Sequence, residues 1–389
     1  MKLAARMQSV QPYFFAKLAK RMLALQAAGR DVIRLDVGSP DQPPAAFIRD
    51  ALKHAVDQPG THGYVAAGGL PEFRQAVADY YSRRFGVAVD PQNQVEALIG
   101  SKEGLFHLSM AYLEPGDVAL VPDPAYAVYE AAARFAGADV VLLPLRAEHG
   151  FLPQLAEIAP DAARRAKLLW LNYPNNPTGA CAPLQLFTEA VAFAQRHDLL
   201  VCHDAPYLDV TYDGYTAPSI LQVPGALEVA VEFNSLSKTY NMAGWRMGMA
   251  VGCAAAVRAL HALKSNIDSS QFKAAQLAGV AALTGDQTWL APRNALYQER
   301  RDVVLAGLRQ AQLPAQTPAG AMYVWAHVPA AMGSEQFADD LLEQASVSVT
   351  PGAIYGVNGE GYFRISLGTA TPRVREAMER ISEWARARS

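Results

Sequence analysis

The sequence predicts an α/β fold: a mostly parallel seven-stranded sheet between helices, with a smaller α+β part made from both chain ends. Three features predict it. Between about residues 95 and 251, short apolar runs alternate with helical patterns, the signature of parallel strands covered on both faces. After Pro314 the rhythm changes to strand, helix, strand, strand, helix. The length, 389 residues, exceeds what one core ordinarily organises and suits two domains. We place the large domain at 45–285 and the small one at 1–44 together with 286–389.

Composition narrows the class. Hydrophobic residues make up 51% and charged residues 18%, which fits a well-buried globular chain rather than a disordered one. A net charge of −3 argues against a broad basic face for nucleic acid. Three cysteines, Cys181, Cys202 and Cys253, have no metal or redox spacing, and a sparse odd count fits a reducing cytoplasm. No apolar run reaches membrane-spanning length. The basic N-terminus lacks a continuous apolar core, so it reads as a structural helix rather than a targeting signal.

In chain order, residues 15–28 have amphipathic helical spacing that ends at Gly29, and 32–37 form a short strand. Gly38-Ser-Pro-Asp41 is a tight polar turn. A helix at 45–57 leads to a Gly-rich loop, 61–69, that carries Tyr64, and Pro71 opens a helix to about Phe85. Strands are expected at 96–99, 118–121, 140–143, 168–171, 199–203, 229–233 and 247–251, with helices at 104–112, 125–135, 184–196 and 254–264. A long helical pattern, 286–311, leads to the small domain. There we expect strands at 322–327, 347–350 and 361–367, with helices at 334–344 and 372–385.

In parallel sheets ligands lie at the carboxyl ends of the strands, so the residues there matter most. After 229–233 come Ser235-Leu-Ser-Lys238 and, eight residues past the lysine, Arg246. A sheltered lysine is a candidate covalent anchor for an aldehyde, and two hydroxyls with a planar cation suit a phosphate. Gly100-Ser-Lys-Glu-Gly104 opens a helix, as an anion site or simply a capped helix start. It is not a Walker loop, and a nucleotide-binding glycine fingerprint is absent. Tyr126 follows another strand and can stack on a flat ring or pack over a helix start. Asn172-Tyr-Pro-Asn-Asn-Pro-Thr-Gly179 is a stiff turn able to aim Asn176 inward. Asp204 ends a buried apolar strand, where a carboxylate is costly without a partner; a pyridinium nitrogen would supply one, and a cap is the alternative. By the strand period of two, His203 points to the opposite face, so no His203–Asp204 metal pair is expected. Arg364 within an apolar strand needs a counter-anion, either a structural partner or a substrate carboxylate.

The set Asn175-Asn-Pro-Thr-Gly179, Asp204-x-x-Tyr207, Ser235-Leu-Ser-Lys238 and Arg246, in order and with Arg364, resembles the class I/II aminotransferases of fold type I. The resemblance implies pyridoxal 5′-phosphate as cofactor. It implies Lys238 as covalent anchor and proton shuttle, Asp204 on the pyridinium nitrogen, and Asn176 and Tyr207 on the ring oxygen, with Tyr126 stacked on the ring. Ser101, the Lys102 backbone, Ser235, Ser237 and Arg246 would bind the phosphate. Tyr64 would reach the phosphate of a neighbouring subunit in a cytoplasmic homodimer. Arg364 and Asn176, with the Gly38 backbone, would hold the substrate α-carboxylate. Pro12-Tyr-Phe-Phe-Ala-Lys17 and the run from Ser237 to Gly248 are most similar to the LL-diaminopimelate aminotransferase branch, which serves lysine biosynthesis. Tyr13 would then line the substrate pocket, and Asn266 is the candidate for a residue lent by the partner subunit.

The implied reaction is ping-pong transfer from an amino acid to an oxo acid, with 2-oxoglutarate as acceptor and LL-diaminopimelate as a possible donor. Donors related to alanine or aspartate, or a carbon–sulfur β-lyase of the same fold, are the alternatives. A cofactor-sensing regulator is disfavoured, since such modules usually carry a DNA-binding domain.

Overall fold

The computed structural model describes residues 2–4, 6–7 and 14–388. Tyr13 lies outside the described residues. Strand β1 is Ile33–Arg34. The large sheet contains β2 (Val95–Ile99), β3 (Val118–Asp123), β4 (Asp139–Pro144), β5 (Ala166–Leu171), β6 (Leu200–Asp204), β7 (Ala230–Ser235) and β8 (Met247–Gly252). Their spatial order is β2-β8-β7-β6-β5-β3-β4. Every pair is parallel except the two made by β8. A second sheet joins β11 (Thr350–Pro351), β12 (Tyr362–Ser366) and β9 (Tyr323–His327), all antiparallel; β10 (Val347–Ser348) pairs instead with β1.

The reversal of β8 has a direct effect on the site. Because it runs against its neighbours, its first residue lies at the edge where the other strands end. The register sets Met247 opposite Ile99 and Gly248 opposite Ser235. Arg246, just before β8, therefore arrives beside the ends of β2 and β7.

The large sheet buries both faces, which is why its strands read as apolar runs rather than alternating ones. The period of two sends Leu169 and Leu171 of β5 to one core and Leu168 and Trp170 to the other. Trp170 is stacked on Tyr129 with centroids 5.1 Å apart and lies 6.0 Å from Phe233. Fully burying side chains of this kind contributes about 1.5–3 kcal/mol each. A separate core gathers Ile33 and Leu35 from one chain end with Val324, Phe337, Phe363, Ile365, Val374 and Ile381 from the other.

Differences from the sequence expectation are local. The strand expected at 32–37 is a two-residue ladder, because Leu35 already bonds to two different strands: its N–H donates to the Ser348 carbonyl and its carbonyl accepts from the Ser366 N–H. The strand expected at 347–350 splits between two sheets for the same reason. The helix expected from 104 starts at Ser101, and the one expected from 125 starts at Val128. The helix Lys273–Thr284 has no polar face to mark it; most of its residues are buried.

The helix Leu290–Gln310 carries Arg293, Arg300 and Arg301, all buried. Arg300 forks onto Asp41 at 2.7 and 2.8 Å, tying down the turn after Gly38. Among the described residues no helix is long and apolar enough to cross a membrane. His203 pairs with Glu232 at 2.8 Å on the face away from Asp204, as the strand period requires.

Candidate active site

A cavity of about 410 Å³ opens where the large sheet's strand ends meet strands of the two smaller sheets. Arg34, Lys102, Lys238, Arg246 and Arg364 border it against only two carboxylates, Asp36 and Asp204. An excess of cations in a walled cleft selects anionic ligands.

Lys238 sits on the short turn Leu236–Thr239 that follows β7. Ser235 caps this turn by accepting the Ser237 N–H at 3.2 Å. From the far side, Arg293 Nη1 donates to the Lys238 carbonyl at 2.6 Å and to that of Thr239 at 2.8 Å. The backbone is thus fixed while the side chain reaches into the cavity, where Nζ donates to the Gly38 carbonyl. Burial pulls the ammonium pKa below its usual value, and the cations of Arg364 and Arg246 act in the same direction.

Asp204 ends β6, and its Oδ2 accepts from the Tyr129 hydroxyl at 2.6 Å. Its Oδ1 is buried and, among the described residues, has no hydrogen-bond partner. Burial pushes this carboxyl up to about 6 although the Tyr129 bond opposes the shift. An acceptor oxygen of this kind, buried in a carboxylate that borders the cavity, suits a cationic ring N–H.

The turn 172–179 is as stiff as its prolines suggest. Asn175 Oδ1 accepts from the Thr178 N–H and hydroxyl at 3.0 and 2.7 Å, and Asn172 Oδ1 accepts the Asn176 N–H at 2.8 Å. Asn172 also donates to the Asp204 carbonyl at 2.6 Å, joining the ends of β5 and β6. Asn176 Oδ1 then accepts from Arg364 Nη1 at 2.8 Å.

Arg364 is buried, yet its partners are neutral: Asn176 Oδ1, the Asp36 carbonyl at 2.8 Å and the Thr350 hydroxyl at 3.5 Å. Nε has no partner. Among the described residues no carboxylate oxygen forms an ion pair with it, so the structural ion pair is not how this charge is satisfied. Tyr323 lies under the guanidinium, 4.2 Å from ring centroid to Cζ, and exchanges a 2.7 Å hydrogen bond with Tyr207. A Cβ on Gly38 would meet the Tyr323 hydroxyl at 2.4 Å, so glycine is required there by space rather than by φ.

At the other end of the cavity, Gly100 (φ 73°) turns the chain into the helix Ser101–Tyr112. Its missing side chain leaves room for Arg246, whose Nη2 would lie 2.0 Å from a Cβ. Arg246 is held by the Ala243 carbonyl at 2.8 Å. Ser101, Lys102, Ser235 and Ser237 border the same cavity, and the Lys102 ammonium lies 5.5 Å from the Tyr126 ring centroid. A helix start, hydroxyls and a guanidinium fit a phosphate.

Of the residues expected from sequence, twelve of those described border this cavity: Gly38, Ser101, Lys102, Tyr126, Asn176, Asp204, Tyr207, Ser235, Ser237, Lys238, Arg246 and Arg364. Tyr64 does not; it is 97% exposed on its own chain. Asn266 is also exposed, with Nδ2 bonded to the Ala262 carbonyl. Sequence reasoning missed Tyr323, Tyr129, Arg293, Arg34 and Asp36. Tyr129 had a weak signal, one helical turn after Tyr126; the others had none.

Residues 30–381 match the model of the aminotransferase class I and II family. The LL-diaminopimelate aminotransferase of Moorella thermoacetica is 50% identical over 98% of both chains, and that of Syntrophobacter fumaroxidans is 47% identical over 97% of each. Among solved structures, substrate-bound BacF from Bacillus subtilis superposes with a TM-score of 0.95 at 36% identity, covering 98% of both chains. A single mutant of Thermus thermophilus aspartate aminotransferase gives 0.91 at 32%, covering 99% of this chain and 100% of the other. The chain therefore belongs to the class I and II aminotransferases.

Proposed function

We propose that this aminotransferase holds pyridoxal 5′-phosphate in the cavity described, takes an amino group from LL-diaminopimelate and passes it to 2-oxoglutarate. One observation carries the reading. Lys238 Nζ, a buried carboxylate with an unpartnered oxygen, and an arginine without a counter-anion share a single cavity. The relatives named for that donor span nearly the whole chain and support the choice.

When bound, the cofactor supplies an electron sink for a carbanion at the substrate Cα. The chain's residues do the rest. Arg246, Ser101, Ser235, Ser237 and the Lys102 backbone would hold the phosphate, and Tyr126 would pack on the ring. Asp204 Oδ1 accepts the ring N–H and so keeps that nitrogen protonated. Asn176 and Tyr207 serve the ring oxygen. Arg364 forks onto the α-carboxylate, with Asn176 and the Gly38 backbone beside it. Lys238, its pKa held down by burial, is neutral for part of the cycle and moves the Cα proton.

The same reading takes 45–285 as the cofactor-binding domain and 1–44 with 286–389 as the small one. The exposure of Tyr64 and Asn266 supports a homodimer in which each chain lends residues to the other's cavity.

The test is glutamate formation from LL-diaminopimelate and 2-oxoglutarate by purified protein, against a panel of other donors. Turnover with alanine or aspartate but not LL-diaminopimelate would move the donor assignment. Release of ammonia and pyruvate from a sulfur-containing amino acid without an oxo acid would replace it with the β-lyase reading.

A further inference from the structure

Arg34 and Asp36 border the cavity but have no part in the chemistry above. We infer that Arg34 is the residue that reads the second, distal carboxylate of the dicarboxylic amino and oxo acids proposed above. The inference rests on the transamination reading and sharpens it.

The geometry comes from one short extended segment. Leu35 is buried in the small-domain core, and its backbone is bonded on both sides. Its neighbours Arg34 and Asp36 therefore share the opposite face, the one bordering the cavity. The Asp36 carbonyl accepts from Arg364 Nη2 at 2.8 Å, so it marks where an α-carboxylate would be held. Arg34 lies two residues back, roughly 7 Å along an extended chain. That separation suits a dicarboxylate with a short aliphatic spacer.

The Arg34 guanidinium is pre-aimed. The Asp36 carboxylate, itself 0% exposed, takes Nε at 3.0 Å and Nη2 at 2.5 Å. Among the described residues Nη1 makes no hydrogen bond, and the side chain keeps 35% of its surface. A fork held on one edge and open on the other can receive a carboxylate at little cost in side-chain entropy. The other cations already have tasks in the proposed scheme: Arg246 and Lys102 at the phosphate end, Lys238 at the reacting centre, Arg364 at the α-carboxylate. A mere ion pair between Arg34 and Asp36 predicts no preference between ligands, and this separates the two accounts.

The purified protein is titrated calorimetrically with glutarate and with butyrate, which lacks the distal charge. The wild type should favour glutarate by about 10- to 100-fold, the range for charge-assisted hydrogen bonds. Arg34→Gln should abolish most of that preference. In kinetics, the kcat/KM ratio of L-glutamate over L-norvaline should fall by a similar factor, through KM. The double variant Arg34→Gln/Asp36→Asn removes the buried unpaired carboxylate and should show the same loss if the single variant folds poorly. An equal fall for both ligands, or a wild type indifferent to glutarate, overturns the inference. A clear glutarate preference in a protein that transaminates nothing would support Arg34 while sinking the reading beneath it.

Discussion

Replacing Asp204 with Asn should stabilise the cofactor-free protein above pH 6. The carboxyl is buried, has one hydroxyl partner and leaves Oδ1 unpaired. Burial raises it from an ordinary 3.8 to about 6. A raised carboxyl means the folded chain binds this proton more tightly than the unfolded chain does. Well below pH 3.8, both forms are protonated and the group costs nothing. The cost grows as pH rises from about 4 to 6 and is complete above that. A gap of about two pH units corresponds to about 3 kcal/mol. Asparagine keeps the shape and an oxygen for the Tyr129 hydroxyl but carries no charge. Urea denaturation of both cofactor-free proteins from pH 4 to 8 should bring their stabilities within about 0.6 kcal/mol at the acid end. They should separate by up to about 3 kcal/mol, in favour of the variant, at pH 8. The same variant should bind pyridoxal phosphate more weakly, because the ring N–H loses its anionic acceptor. Parallel curves across pH 4 to 6, or a less stable variant at pH 8, would refute the electrostatic account of Asp204.

Lys238→Ala should lose turnover and the visible absorption of bound cofactor while its circular dichroism stays native, since Arg293 grips only the backbone there; full activity in this variant would refute the anchor. Arg364→Lys keeps the charge but not the planar fork, so kcat/KM for the amino donor should fall about 10- to 100-fold, read against unchanged cofactor absorbance. Gly38→Ala should destabilise by about 1–3 kcal/mol through overpacking against Tyr323. Gly60→Ala, with nothing within 4 Å of the new methyl, should stay within about 0.5 kcal/mol in the same thermal melts. Adding Tyr323→Phe to Gly38→Ala should recover part of the loss.

Much of this site was legible in the sequence because each strand end delivers its residue locally. Asp204, Asn176 and Lys238 follow buried apolar strands within a few positions, and the strand pattern itself says which edge they occupy. Tyr323 was not legible: it begins a strand in the other sheet, and its meaning comes from Tyr207, 116 positions away. Arg293 reads as one charge among many on a long helix, and only tertiary packing turns it toward the carbonyl of Lys238. The strand at 32–37 was overread because apolar alternation marks burial, whereas ladder length depends on partners that the local pattern does not contain. The helix Lys273–Thr284 was passed over for the converse reason: with both sides buried, it has no contrast between faces.

The cavity has two walls of separate origin. Residues between 101 and 246 make one, hung on the large sheet; Arg34, Asp36, Val37, Gly38, Tyr323 and Arg364 make the other, hung on the smaller ladders. A side-chain exchange on the second wall leaves every backbone bond of the first untouched. Gly38, Tyr323 and Arg364 bond across to Lys238, Tyr207 and Asn176 of the first wall, so Arg34 and Asp36, bonded to each other, are where retuning what the protein accepts disturbs least what it must keep in order to react.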